Sequence, residues 1–77
     1  MNEVMDRNAQ YTIVHSVPSI RTYRRLRDAS GLSPKTVAAA ERGLPNTLFG
    51  VQVLFSGEPV GMGRVVGDGG LFFQVVD

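Results

Sequence analysis

Eight basic side chains, seven carboxylates and one histidine make up most of the ionisable chemistry of this 77-residue chain, whose formal net charge is +1. With no cysteine, neither disulfides nor thiolate metal sites are available to it. The acids Glu3, Asp6, Asp28, Glu41, Glu58, Asp68 and Asp77 are scattered, and only Glu3 and Asp6 stand at a helical spacing. A metal site or a cooperating carboxylate pair is therefore not expected. His15 stands alone beside a strand end and reads as structural.

Three further patterns could do chemistry. Arg21, Arg24, Arg25 and Arg27 place half of the eight basic residues in RTYRRLR. Aligned along a helix, they could neutralise a nucleic-acid backbone. Tyr23, however, shares its spacing with Ile20 and Leu26 and belongs to a core face, which leaves the arginines on a solvated one. With a net charge of only +1, no nucleic-acid partner is expected. Gly61, Gly63 and Gly67 in GMGRVVG offer a G-x-G pattern, but a phosphate cradle needs its glycines between a strand and a helix, and these lie within a strand pattern. Gln74 sits in a short apolar run; its amide can hydrogen-bond and orient, but it cannot take up a proton.

The elements that must position these residues follow from period and punctuation. Tyr11 to His15 alternate as a strand, with Tyr11, Ile13 and His15 on one face. Ser16 as cap and Pro18 in the first turn predict a helix carrying Ile20, Tyr23 and Leu26 and stopping at Gly31. Ser33 and Pro34 repeat that start signal for a second helix, which KTVAAAER carries to Gly43. After Asn46 the period changes. TLFGVQVLF puts Phe49, Val51, Val53 and Phe55 on one face and Leu48, Gln52 and Leu54 on the other. SGEP and GDGG then separate two more strands, PVGMGRVVG and LFFQVVD, with Asp68-Gly69 as a hairpin signal. The expected order is β-α-α-β-β-β, an α+β domain with a mainly antiparallel sheet over residues 11–77 behind a flexible start at 1–10.

Composition bounds the rest. Apolar residues make up 43% of the chain, enough for a modest core in a domain that buries only ~60–65% of its unfolded surface. No apolar run reaches the ~18–20 residues that span a bilayer, and MNEVMDRNAQ lacks the regions of a signal peptide, so a cytoplasmic setting without a membrane partner is the default.

A strand, two short helices joined by DASGLSPK, a meander and then PVGMGRVVGDGGLFFQVVD resemble the N-terminal half of the GNAT superfamily of acetyl-CoA-dependent N-acyltransferases. The resemblance runs from about Tyr11 to Asp77. It implies direct transfer of acetyl to a primary amine, with backbone donors of the fourth strand stabilising the oxyanion. It also implies that a glycine-rich loop of the type Q/R-x-x-G-x-G/A, at a helix N-terminus, holds the coenzyme pyrophosphate. These 77 residues contain no such loop, so this chain alone is expected neither to bind acetyl-CoA tightly nor to be active. By the same resemblance, its acceptor side would offer Asp28 and Ser30 from the connection between the helices and Phe49 from a strand. Gln74 would stand where some members carry a base that deprotonates the amine. The alternative is a non-catalytic interaction module.

LFFQVVD also carries an expectation of its own. As a last strand it would leave one edge unpaired, flanked by Phe72, Phe73, Val75 and Val76, with only Gln74 and Asp77 to blunt it. Pairing through Leu71 to Asp77, in a homodimer or with a complementary chain, is the expected outcome.

Overall fold

The computed structural model describes residues 10–77. Apart from Gln10, the expected flexible start lies outside these residues. Strand β1 (Tyr11–Val14) leads into helix α1 (Ile20–Ala29) and helix α2 (Val37–Gly43), which runs on into a single 3-10 turn at Leu44–Asn46. Strands β2 (Phe49–Phe55), β3 (Glu58–Gly67) and β4 (Phe73–Val76) follow. They form one antiparallel sheet in the order β1-β2-β3-β4, so the α+β class and the element order are as the sequence predicts.

Both helices start later than the first serine–proline signals suggest. The cap of α1 is Ser19, whose hydroxyl accepts from the Thr22 amide at 3.1 Å, and the cap of α2 is Thr36, which accepts from the Ala39 amide at 3.1 Å. The two expected caps are engaged elsewhere: the Ser16 hydroxyl accepts from Gln52 at 2.9 Å and the Ser33 hydroxyl from Arg27 at 3.1 Å. A cap needs a hydroxyl free to face its own first turn, and in each case tertiary contacts have taken it. The end of α1 is as expected. Gly31 takes φ +76, and the amides of Gly31 and Leu32 return to the carbonyls of Asp28 and Arg27 at 3.1 and 2.9 Å, closing a Schellman motif. Gly43, by contrast, stays within the helix, and the chain tightens into the 3-10 turn instead of stopping there.

The hairpins differ in kind. Ser56 and Gly57 both have positive φ and close β2 to β3 in a two-residue turn. Pro59 and Val60 follow at a register shift, a bulge opposite Val53 and Leu54, the kind of strand position where proline is tolerated. Between β3 and β4 the turn is longer. The Asp68 carboxylate accepts from the amides of Gly70, Leu71 and Phe72 at 2.8, 2.8 and 3.0 Å, and these bonds hold its pKa below the ordinary carboxylate value. The last strand consequently begins at Phe73 instead of Leu71, which stands almost fully exposed at the turn.

Register separates the two faces of the sheet. Gln52 pairs with Met62 and Gly50 with Arg64, on the face that α1 and α2 cover. The core there is small: Tyr23, Ala40 and Leu44 pack together with Ile20 and Met62 against them, and Leu26 is also buried. The opposite face carries Tyr11, Ile13, Phe49, Val51, Val53, Phe55, Val65, Phe73 and Val75 by alternation from the paired residues. Among the described residues nothing covers it, and Tyr11, Ile13, Phe49, Phe73 and Val75 are each more than half exposed.

Candidate functional site

The most buried polar groups gather where α1, β3 and the end of β4 meet. Tyr23 and Arg27 are one helical turn apart on α1, so the face that buries Tyr23 also buries Arg27. Alternation along β3 places Arg64 on the same face as Met62, beneath the helices. Both guanidinium groups meet one carboxylate. Arg27 Nη1 donates to Asp77 Oδ1 at 2.6 Å and Arg64 Nη1 donates to Asp77 Oδ2 at 3.0 Å, with the Arg27, Arg64 and Asp77 side chains 10%, 9% and 7% exposed. The Tyr23 hydroxyl adds a longer bond to Oδ1 at 3.4 Å, and its ring lies 5.9 and 5.7 Å from the two guanidinium carbons, within cation–π range of both.

Other donors of the arginines are also matched. Arg27 Nε and Nη2 reach the Ser33 carbonyl and hydroxyl at 2.8 and 3.1 Å, while Arg64 Nε reaches the Thr47 hydroxyl at 3.0 Å. The cluster thus fastens the helix connection, the start of the meander and the end of β4 to each other. Burying three charges is costly, and this one is supported by short, charge-assisted bonds on every member. The arginine stretch is therefore not uniformly solvated. Arg21, Arg24 and Arg25 are exposed, but Arg27 is inside. Sequence reasoning missed Arg27, Arg64 and Asp77 as a unit, although Arg27 stands at i+4 from Tyr23 and Arg64 is the one charge in the apolar run from Pro59 to Gly67.

Beside the cluster lies a cavity of ≈ 200 Å³ lined by Tyr23, Lys35, Ala39, Ala40, Leu44 and Arg64, with Gly43 at its edge. A second groove, outside the helices, is lined by Arg21, Arg24, Arg25, Asp28, Pro34 and Lys35.

The residues expected on an acceptor side are spread out. Asp28 is exposed in the outer groove, and Ser30 is exposed as the C-cap of α1, its amide bonded to the Leu26 carbonyl at 3.0 Å. Phe49 lies on the uncovered face of the sheet, where its ring packs on His15 with centroids 5.4 Å apart. Gln74 is exposed on β4 opposite Val66. Asp28 and Ser30 share one end of α1; Phe49 and Gln74 are on different faces of the sheet. Gly61 and Gly63 sit within β3, paired with Val53 and Val51. No cluster of metal-binding side chains occurs among the described residues.

No family model matches the chain, and no curated protein does. A solved structure does match: a protein of unknown function from meticillin-resistant Staphylococcus aureus, described as a probable acetyltransferase. The similarity is 48% identity over 87% of this chain, with a TM-score of 0.81. The chain spans 50% of that protein's length. Two helices on one face of a four-stranded antiparallel sheet, in this order and with this likeness, give the chain the fold of half of an acetyltransferase-like protein.

Proposed function

We propose that the chain is the acceptor-side part of an N-acetyltransferase that moves an acetyl group from acetyl-CoA to an amine in the cytoplasm. The observation that carries this reading is the 48% identity and TM-score of 0.81 to a probable acetyltransferase. Of the residues expected on the acceptor side, Asp28 and Ser30 act together from one end of α1, while Phe49 and Gln74 stand on opposite faces of the sheet and do not line one site with each other; the Gln74 amide can orient an amine or a water without removing its proton.

The described residues do not fit the coenzyme's pyrophosphate. The first turns of α1 and α2 are already capped by Ser19 and Thr36, and the paired glycines of β3 are engaged in a sheet. In this reading residues 1–77 by themselves neither bind acetyl-CoA tightly nor turn it over, and activity calls for the half of the fold that they do not supply, packed beside β4. The test is complementation. Mixed with the half of the Staphylococcus aureus protein that it does not span, the chain should release free thiol from acetyl-CoA in an amine-dependent reaction, and neither part should do so alone. Turnover or micromolar acetyl-CoA binding by the chain alone, or no activity in the mixture, overturns the reading.

A second reading, a non-catalytic module that pairs through its edge strand, is favoured by the uncovered apolar face and the unpaired side of β4. It predicts a defined homodimer by light scattering that Val75→Pro shifts toward monomer or aggregate; a stable monomer at high micromolar concentration removes it.

A further inference from the structure

We infer that the cavity between α1, α2 and β3 is a binding site for a small molecule carrying a carboxylate. The buried cluster holds two guanidinium groups against one carboxylate, and among the described residues Asp77 alone forms ion pairs with them. It is one negative charge short. Arg64 uses Nε on Thr47 and Nη1 on Asp77, and its Nη2 has no hydrogen-bond partner among the described residues. Arg64 lines the cavity, and so does Lys35, a second cation.

The rest of the lining is apolar. Ala39, Ala40 and Leu44 form one side of a space of ≈ 200 Å³, larger than the ~150 Å³ cavity that accommodates a benzene ring. Two cations with an apolar wall suit an organic carboxylate of about six to eight heavy atoms, held by Arg64 Nη2 and Lys35 with its carbon body on the alanines. An ammonium group is disfavoured there by like charge. Under the acetyltransferase reading, on which this last step rests, the cavity takes the far end of the acceptor and keeps its amine away. The acceptor class is then an amino acid or another amino-carboxylate, not a polyamine.

The binding itself is tested without coenzyme. The full chain, labelled with ¹⁵N, is titrated with butyrate, n-butylamine and n-butanol at constant ionic strength, following the Arg64 Nε–H and the amides of Ala40 and Leu44. Butyrate should produce saturable shifts at these positions and bind at least about 10-fold tighter than the amine or the alcohol. Lys35→Gln, an exposed change, should weaken butyrate about 2–5-fold with the spectrum otherwise preserved. Ala39→Leu, also exposed, should fill the cavity and abolish the shifts while the Asp77 contacts stay. Butyrate shifts no larger than those of butylamine, or an affinity unmoved by both variants, would overturn the inference. Either result leaves the complementation assay free to succeed, and a failed complementation with intact butyrate binding counts against the acetyltransferase reading alone.

Discussion

Asp77→Asn is the sharpest perturbation of the structure. The substitution keeps the shape of the side chain and removes its charge, so two buried guanidinium groups lose the anion that both approach, at 2.6 and 3.0 Å. An amide oxygen can still accept from one arginine, but the NH2 group that replaces the other oxygen confronts a second donor. Removing one partner of a buried, hydrogen-bonded charge cluster costs about 3–5 kcal/mol. A domain of 77 residues has about 4–12 kcal/mol in total at ~0.05–0.15 kcal/mol per residue. The loss is therefore a large share of the stability, and at ~4–8 °C per kcal/mol the melting temperature should fall by more than about 12 °C. Circular dichroism during thermal and urea unfolding measures it. Two companions separate charge from packing. Tyr23→Phe removes only the 3.4 Å bond and should cost less than about 1 kcal/mol. The triple variant Arg27→Met, Arg64→Met, Asp77→Leu exchanges the whole cluster for apolar side chains and should recover most of the loss, since such exchanges are often neutral or stabilising. If Asp77→Asn melts within a degree or two of the parent, the carboxylate is not holding these elements together and the reasoning fails.

Three other outcomes follow from the fold. The Asp68 carboxylate has its pKa lowered by the three turn amides, so its contribution to the hairpin is complete above the ordinary carboxylate value of 3.8 and is lost as pH falls through the lower folded value; the Gly70, Leu71 and Phe72 amide shifts should titrate together in that acid range and become pH-independent in Asp68→Ala. Gly67→Ala should unfold the β3–β4 turn, at a cost of about 2 kcal/mol or more, because φ is +154 there and a Cβ would overlap the Phe72 carbonyl oxygen; an unchanged urea midpoint would contradict it. Arg24→Gln with Arg25→Gln removes two exposed bonds to the carbonyls of Lys35 and Pro59, and should lower stability by no more than about 1 kcal/mol without creating or abolishing any salt-dependent complex with DNA or RNA.

Much of the fold was legible because its signals are local. The change of period after Asn46, the Asp68-Gly69 turn and Gly31 after the last apolar position of α1 each act within a few residues, and the structure agrees with all three. The helix starts were misplaced by contacts that are not local: Ser16 serves Gln52 and Ser33 serves Arg27, partners that no rule of nearest neighbours contains. The same limit hid the charge cluster. Charge and the spacing of Ile20, Tyr23 and Leu26 both assigned Arg27 to solvent, although it stands one turn from Tyr23; the decision belonged to Asp77, 50 residues away. For a long side chain with a hydrogen-bonding head, position on a helix is the better guide only when an anion at the far end of the chain is counted too.

The order of the strands also sets an order in time. Adjacent elements β2, β3 and β4 meet across the Ser56–Gly57 turn and the Asp68 loop, so their pairing needs little chain closure and can proceed on the ~1–10 μs scale of hairpins. Strand β1 is different. Its pairing of Tyr11 with Phe55 closes a segment that contains both helices, and closing that longer loop costs about 2–3 kcal/mol more chain entropy than closing a two-residue turn. Only when α1 has docked does Arg27 come within reach of Asp77 and hold the helix to the end of β4. This difference predicts that the C-terminal meander forms before β1 joins it, against the direction of synthesis, and that the amides of Tyr11–Val14 exchange fastest among the strands.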